Sequence, residues 1–156
     1  MIRIPPPLQA LTCAALAWGI HHSAAFLPQP TVAQQWLFAV PHWLIGLLAL
    51  LGLAIDLFAV WHFHRAATTV NPLYPERAST LVTHGIYRYS RNPMYVGLTL
   101  LLLAWCLWLG NLISLLTVAL FVWVVTRLQI VPEERILAQR FGDEFRRYQQ
   151  QVRRWL

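Results

Sequence analysis

From Asn92 to Thr126 the chain holds not one Asp, Glu, Lys or Arg. Extended to Val131, this tract would be about 60 Å long as a single helix at 1.5 Å per residue, roughly twice the hydrocarbon core of a bilayer. It has to fold back on itself, and Gly110-Asn111 near its middle is a helix-stop signal. The expectation is a tight hairpin of two crossings, residues 93–109 and 112–131.

A second such tract runs from Ile4 to His64, where Asp56 is the one charged residue. A crossing takes about 20 helical residues. Residues 8–27 supply one. Leu27-Pro28-Gln29-Pro30-Thr31 then breaks the helix, because each proline removes an N–H and restricts the residue before it. Residues 41–64 supply the next crossing, opened by Pro41 where a missing N–H costs nothing. With 58% of residues hydrophobic and 12% charged, most of the chain is solvated by lipid. The expected fold class is therefore all-α: one polytopic membrane domain, 1–156, with about four transmembrane helices.

All twelve basic residues are arginine, giving a net charge of +6. They flank apolar runs and accompany no recognition motif, which speaks against a nucleic-acid partner and for orientation in a bilayer. Arg3 precedes the first span, residues 28–35 carry no charge, the loop 65–92 holds Arg65, Arg77, Arg88 and Arg91, and Arg127 opens a basic tail. The positive-inside rule places both termini and the central loop in the cytoplasm, with a bacterial inner membrane as the expected location. A cleaved signal sequence built on Met1-Ile2-Arg3, the apolar run and Ser23-Ala24-Ala25 is an alternative that leaves the other spans oriented alike. Cys13 and Cys106 fall in apolar tracts, in opposite halves of the membrane on this topology, so neither a disulfide nor a thiolate metal site is implied.

Beyond Pro132 the pattern changes. Ile136, Leu137, Phe141, Phe145, Tyr148, Val152 and Trp155 recur at spacings of three and four, while Arg135, Arg140, Arg146, Arg147 and Gln150 fill the other side. This reads as an amphipathic helix over 132–155, lying along the membrane surface or against the spans, with Gly142-Asp143 as a break point.

Nearly all the polar residues lie in the central loop and the start of the tail, on one side of the membrane. They include Thr69-Val70-Asn71-Pro72-Leu73, His84-Gly85-Ile86-Tyr87, Ser90-Arg91-Asn92-Pro93-Met94-Tyr95, then after the hairpin Glu133-Glu134, Phe141-Gly142 and Tyr148. In order and spacing these motifs resemble the isoprenylcysteine carboxyl methyltransferase and phospholipid methyltransferase superfamily, over roughly residues 69–155. The resemblance implies that S-adenosylmethionine binds at the cytoplasmic end of the third and fourth spans, under the loop and tail helix, leaving S-adenosylhomocysteine as product. It implies that His84, Gly85 and Tyr87 line the cofactor, that Asn92, Pro93 and Tyr95 form a second wall, and that Glu133 and Glu134 meet its amino group or ribose hydroxyls. Arg91 or Arg127 would face an acidic group of the substrate, with Arg91, Arg127 and Glu134 as the candidate catalytic set. The partner implied is a lipid or lipidated small molecule, a prenylated thioether acid or a phospholipid amine, reaching the site laterally from the bilayer.

Relatives commonly have histidine where this chain has Asn92, and an amide cannot accept a proton near neutral pH. A contact role is therefore expected at Asn92, and no residue stands out as the base that an amine acceptor would require. Since a sulfonium is already an activated methyl donor, alignment and exclusion of water are the protein's main tasks.

Structural readings stand beside these. Asn92 before Pro93 suits a helix N-cap, and Glu133-Glu134 after Pro132 suits a first helical turn, where the dipole favours anions by about 0.3–1 kcal/mol. Tyr87, Tyr89 and Tyr95, with Trp36, Trp43, Trp61 and Trp155, suit an interfacial aromatic belt, and Arg88 an anchor to anionic lipid. Asp56, about two turns inside the second span, needs a partner or water, and a substrate cavity and a bond to a neighbouring span serve equally. His62 and His64 read as interfacial. His21, His22 and His42 near the outer face leave a haem- or metal-binding protein as a second functional reading. A non-catalytic membrane partner with a vestigial pocket is the third.

Overall fold

A computed structural model describes residues 4–23, 39–65 and 81–156. The helix break expected at 27–31, Arg77, the 69–73 segment and Trp36 lie outside them, as do the side chains of His64 and Arg65. Among the described residues every regular element is helical: α1 (Pro6–Ser23), α2 (His42–Arg65), α3 (Pro93–Leu109), α4 (Leu116–Val125) and α5 (Val131–Gln151), with short 3-10 turns at Gly85–Arg88 and Ile113–Leu115. Two stretches are long and apolar enough to cross a membrane, His42–His62 and Ile113–Gln151, and α3 is a shorter apolar helix.

The hairpin forms where the sequence places it. Gly110 ends α3 in the left-handed region (φ +64°), where glycine carries no Cβ penalty. The buried Asn111 side chain then starts the return: its Oδ1 accepts the N–H groups of Ile113 at 2.9 Å and Ser114 at 3.4 Å.

α1 buries Pro6, Gln9, Cys13 and Ala17, spaced by three and four, against this hairpin, and turns Leu8, Leu11, Leu16 and Trp18 outward. Two bonds set its register: the Trp105 indole N–H donates to the Ala14 carbonyl at 3.1 Å, and the Ser114 hydroxyl to the Ala17 carbonyl at 3.1 Å. With no water available in hydrocarbon, such groups need a protein partner, and helix carbonyls supply one. That register overturns the expectation for the cysteines. Cys13 and Cys106 do not occupy opposite halves but share one buried cluster with Ala17, Leu102, Leu109, Phe121 and Val125, both as free thiols.

Pro132 does not separate span from tail, as the sequence suggested. Helix runs on from Ile113 to Gln151, because a π turn over Thr126–Ile130 precedes the proline. There the Val131 N–H reaches back to the Thr126 carbonyl, five residues away, and the wider turn accommodates a ring that would clash in a regular helix. At 1.5 Å per residue the part from Ile113 to Phe141 alone spans about 44 Å, so the helix extends well beyond a hydrocarbon core of about 30 Å. The direction changes instead at Gly142 (φ +51°, ψ −121°). Past that kink Phe145, Tyr148 and Val152 pack on Leu81, Leu137, Ala138 and Phe141, while Arg135, Arg140, Arg146 and Arg147 are exposed.

α2 buries Ile45, Gly52 and Ala59, one residue every seven, against α3. The two helices meet at a glycine pair. A Cβ on Gly52 would lie 2.9 Å from the Gly97 carbonyl oxygen, and one on Gly97 2.7 Å from that of Gly52. Backbones this close are a feature of helix pairs in membranes, where small residues permit the approach. The outer side of α2 exposes Leu47, Leu50, Leu51, Leu57 and Phe58, an apolar surface suited to lipid.

Candidate functional site

The site begins at a turn ahead of α3. His84 is extended (φ −106°, ψ 172°), Gly85 is left-handed (φ +63°), and a 3-10 turn carries the chain to Arg88. Gly85 is doubly constrained, because any Cβ there would overlap the His62 imidazole from α2. His62 Nδ1 lies 2.9 Å from the Phe58 carbonyl. A carbonyl only accepts, so Nδ1 carries the proton, and in the neutral ring Nε2 is left as an acceptor facing Gly85. The His84 ring stands 5.9 Å from that of His62.

Tyr87 is buried, and its carbonyl accepts the Tyr148 hydroxyl at 2.7 Å, docking the tail onto the turn. Burial pushes the Tyr87 phenol well above its ordinary range, with further raising by Tyr148, Asp56 and Glu133. The turn thus touches two helices, with Tyr87 packed against Ala59 of α2 and its carbonyl bonded to Tyr148 of α5. Tyr95, on the first turn of α3, donates its hydroxyl to Glu133 Oε1 at 2.9 Å. Asp56 lies against Gly97, where a Cβ would overlap its carboxyl group. Among the described residues its buried Oδ1 has no hydrogen-bond partner.

Beside this cluster is a latch. Arg91 Nη2 donates to Glu134 Oε1 at 2.7 Å, and its Nη1 to the Gln149 and Val152 carbonyls at 3.2 and 3.3 Å. Arg154 holds the other face of Glu134, with Nε on Oε1 at 3.1 Å and Nη2 on Oε2 at 2.7 Å. The Glu134 hydrogen bond holds the Arg154 guanidinium above its usual pKa, against the opposing effect of burial. The Arg91 N–H donates to the Arg153 carbonyl, and Asn92 Nδ2 to the Arg154 carbonyl, both at 3.0 Å.

Two structural readings of the sequence are corrected by these bonds. The Asn92 backbone carbonyl starts α3, but its side chain caps nothing and is turned to the tail instead. Glu133 and Glu134 are not placed by a helix dipole, because helix continues through Pro132 and there is no free N-terminus for them to face.

Of the residues singled out from sequence, Tyr87, Pro93 and Tyr95 are buried, Gly85, Arg91, Asn92, Glu133 and Glu134 are half-buried in the same region, and His84 is exposed at its edge. Arg127 is exposed within the π turn. The contribution of α2 is not legible in the sequence, where His62 reads as interfacial and Asp56 serves a cavity and a structural bond equally. The available signal was Asp56 itself, the sole charge in its tract, falling four residues after a glycine on one helical face. As for the histidine reading, among the described residues no three His, Cys, Asp or Glu side chains gather where they could hold a metal ion.

The phospholipid methyltransferase family matches residues 40–144. A probable protein-S-isoprenylcysteine O-methyltransferase of Oryza sativa subsp. indica is 30% identical over 134 residues, covering 85% of this chain and 68% of that protein. The protein-S-isoprenylcysteine O-methyltransferase of Schizosaccharomyces pombe is 40% identical over 72 residues, which is 46% of this chain but 30% of that enzyme's length. An uncharacterized protein of Haemophilus influenzae is 56% identical over 63 residues, its entire length and 40% of this chain. No solved structure gives a significant match. With the matched region holding α2, the glycine-histidine turn, the hairpin and Glu133-Glu134, the chain belongs to the phospholipid methyltransferase family, as an integral membrane methyltransferase.

Proposed function

We propose that this protein transfers the methyl group of S-adenosylmethionine to a lipid-borne acceptor at the cytoplasmic membrane face. The observation that carries the reading is the closure of two distant segments, 84–95 and 133–154, on one another through Tyr95–Glu133, Arg91–Glu134 and Tyr148–Tyr87. Between them lies a set of donors and acceptors that fits the cofactor: the Glu133 carboxylate for its ammonium, the glycine turn at Gly85 for close backbone approach, and the Tyr87 and Tyr95 rings for its flat base. Glu134 fits less well, since both its oxygens already accept from arginines. Its part is to hold the tail over the site, with Arg91 in the same structural role. S-adenosylmethionine supplies a methyl already activated on a sulfonium, so the chain contributes orientation and a dry cavity.

The topology that goes with this reading has four spans, α1, α2, α3 and the α4 end of the long helix, with both termini and residues 65–92 cytoplasmic in a bacterial inner membrane. The apolar outer face of α2 supports lateral access for a lipid acceptor. Titration of detergent-solubilised protein with S-adenosylhomocysteine tests the central claim. Saturable binding is expected, with Glu133→Gln weakening it about 10–100-fold, the equivalent of a hydrogen bond to a charged group. An absence of saturable binding in the wild type overturns the proposal.

A further inference from the structure

The α2 face that packs on the site reads, from the glycine crossing outward, Gly52, Asp56, Ala59 and His62, all on one side of the helix. Gly52 meets Gly97, Ala59 packs on Tyr87, and His62 covers Gly85. The Asp56 carboxyl group lies against Gly97, where any Cβ would overlap it, and among the described residues its buried Oδ1 has no hydrogen-bond partner. An ionisable group within a span is expected to meet an opposite charge or to mark a ligand.

Resting on the methyltransferase reading above, we propose that Asp56 is the counter-charge of the donor's sulfonium, and that it makes the site prefer S-adenosylmethionine to S-adenosylhomocysteine. The donor carries an ammonium and a sulfonium, joined by a short flexible chain. The site offers a carboxylate for each: Glu133 from α5, bonded to Tyr95 on the first turn of α3, and Asp56 from α2, against Gly97. The charges of both acids reach the Tyr87 phenol. Gly97 lies two residues beyond Tyr95 along α3, toward the membrane interior, so Glu133 takes the ammonium near the surface and Asp56 the sulfonium deeper. That order leaves the methyl-bearing end of the donor on the membrane side, from which a lipid acceptor comes.

Methyl transfer leaves a neutral thioether in place of the sulfonium, so the charge that Asp56 meets is present before the reaction and gone after it. The carboxylate therefore favours loading of the donor and departure of the spent cofactor. It does not speed the chemical step, because an interaction stronger in the ground state than in the transition state lowers KM and not the barrier. Gly97 belongs to the same arrangement, since a side chain there would displace the carboxyl group from this position.

The test compares equilibrium binding of S-adenosylmethionine and S-adenosylhomocysteine to detergent-solubilised protein without any acceptor. The wild type is expected to bind S-adenosylmethionine about tenfold more tightly, the scale of one charge pair in a partly buried site. Asp56→Asn is expected to bring the two affinities within about twofold of each other by weakening S-adenosylmethionine alone, because an amide carries no charge. Glu133→Gln is expected to weaken both ligands by the same factor, since each carries the ammonium. Equal wild-type affinities, or tighter S-adenosylhomocysteine, overturn the proposal and leave the methyltransferase reading in place, as does an undiminished preference in Asp56→Asn. Equal loss of both ligands in that variant, with its fold intact, also overturns it, by making Asp56 a general contact. A Glu133→Gln loss confined to S-adenosylmethionine overturns it too, by giving the sulfonium to Glu133. Where Asp56→Asn fails to fold, the wild-type ratio decides. Saturable binding of neither ligand overturns the methyltransferase reading itself and this inference with it.

Discussion

Arg91 and Glu134 meet at 2.7 Å with only 11% and 12% of their side chains exposed, joining the segment ahead of α3 to the start of α5. Arg154 closes on the same carboxylate from the C-terminal tail, with 40% of its side chain exposed. One acidic residue thus ties together three segments that are remote in sequence. Its loss leaves at least one largely buried guanidinium without its counter-charge.

Glu134→Ala is therefore expected to act first on stability. Removing one member of a buried ion pair typically costs about 3–5 kcal/mol, because the partner remains desolvated. Thermal unfolding in detergent measures this, and a double-mutant cycle with Arg91→Ala separates the pair from its surroundings. The double variant is expected to be distinctly more stable than the sum of the two single losses implies. Strict additivity would mean that the pair contributes no coupling.

Two glycines give a sharper geometric expectation. A Cβ at position 97 meets both the Asp56 carboxyl and the Gly52 backbone, so Gly97→Ala is expected to cost about 1–3 kcal/mol as overpacking. Pairing it with Asp56→Ala removes only the side-chain clash, and rescue should be partial. Gly85→Ala meets His62 and also a left-handed backbone, so His62→Ala should likewise restore only part of the loss. Full rescue in either pair would show that side-chain overlap alone dictates glycine there.

What was legible in the sequence divides along physical lines. The hairpin was readable because Gly110-Asn111 is a local signal, and its left-handed cap and Asn111 bonds use only neighbouring residues. The coming together of the loop and tail was readable from the positions of Tyr95, Glu133, Arg91 and Tyr148, all polar residues with few alternatives in lipid. Pro132 misled because its usual effect was cancelled upstream, in a π turn whose residues Thr126–Ile130 carry no sequence mark of it. The role of α2 was hidden for a different reason. Gly52, Asp56 and His62 acquire meaning only from Gly97 and Gly85, which lie on other elements.

The tail's docking is expected to depend on alkaline pH. Burial holds the Tyr87 and Tyr148 phenols above the ordinary value of 10.0; for Tyr148 the Arg91 charge works in the other direction. A raised folded-state pKa means that the contribution to stability is complete below about pH 10 and is lost as pH rises above it. Unfolding monitored between pH 8 and 12 should show a falling limb above about pH 10. Tyr148→Phe should make that limb shallower and cost about 1 kcal/mol at neutral pH through the lost bond to the Tyr87 carbonyl. An unchanged limb in Tyr148→Phe and Tyr87→Phe alike would assign the alkaline loss to other groups.

Asn92 separates two roles that the same residue type can serve. As a helix cap it would tolerate aspartate, one of the best capping residues, and lose about 1 kcal/mol with alanine. As a tether it needs an N–H, because Nδ2 donates to the Arg154 carbonyl, and a carboxylate offers none. The tether therefore makes Asn92→Asp and Asn92→Ala comparably destabilising, each by about 1 kcal/mol, from one lost hydrogen bond. Hydrogen exchange adds a spatial readout, since loss of a tether should raise exchange in residues 149–154 and leave the first turn of α3 protected. Wild-type stability in Asn92→Asp, with fraying confined to residues 93–96, would return the side chain to a capping role.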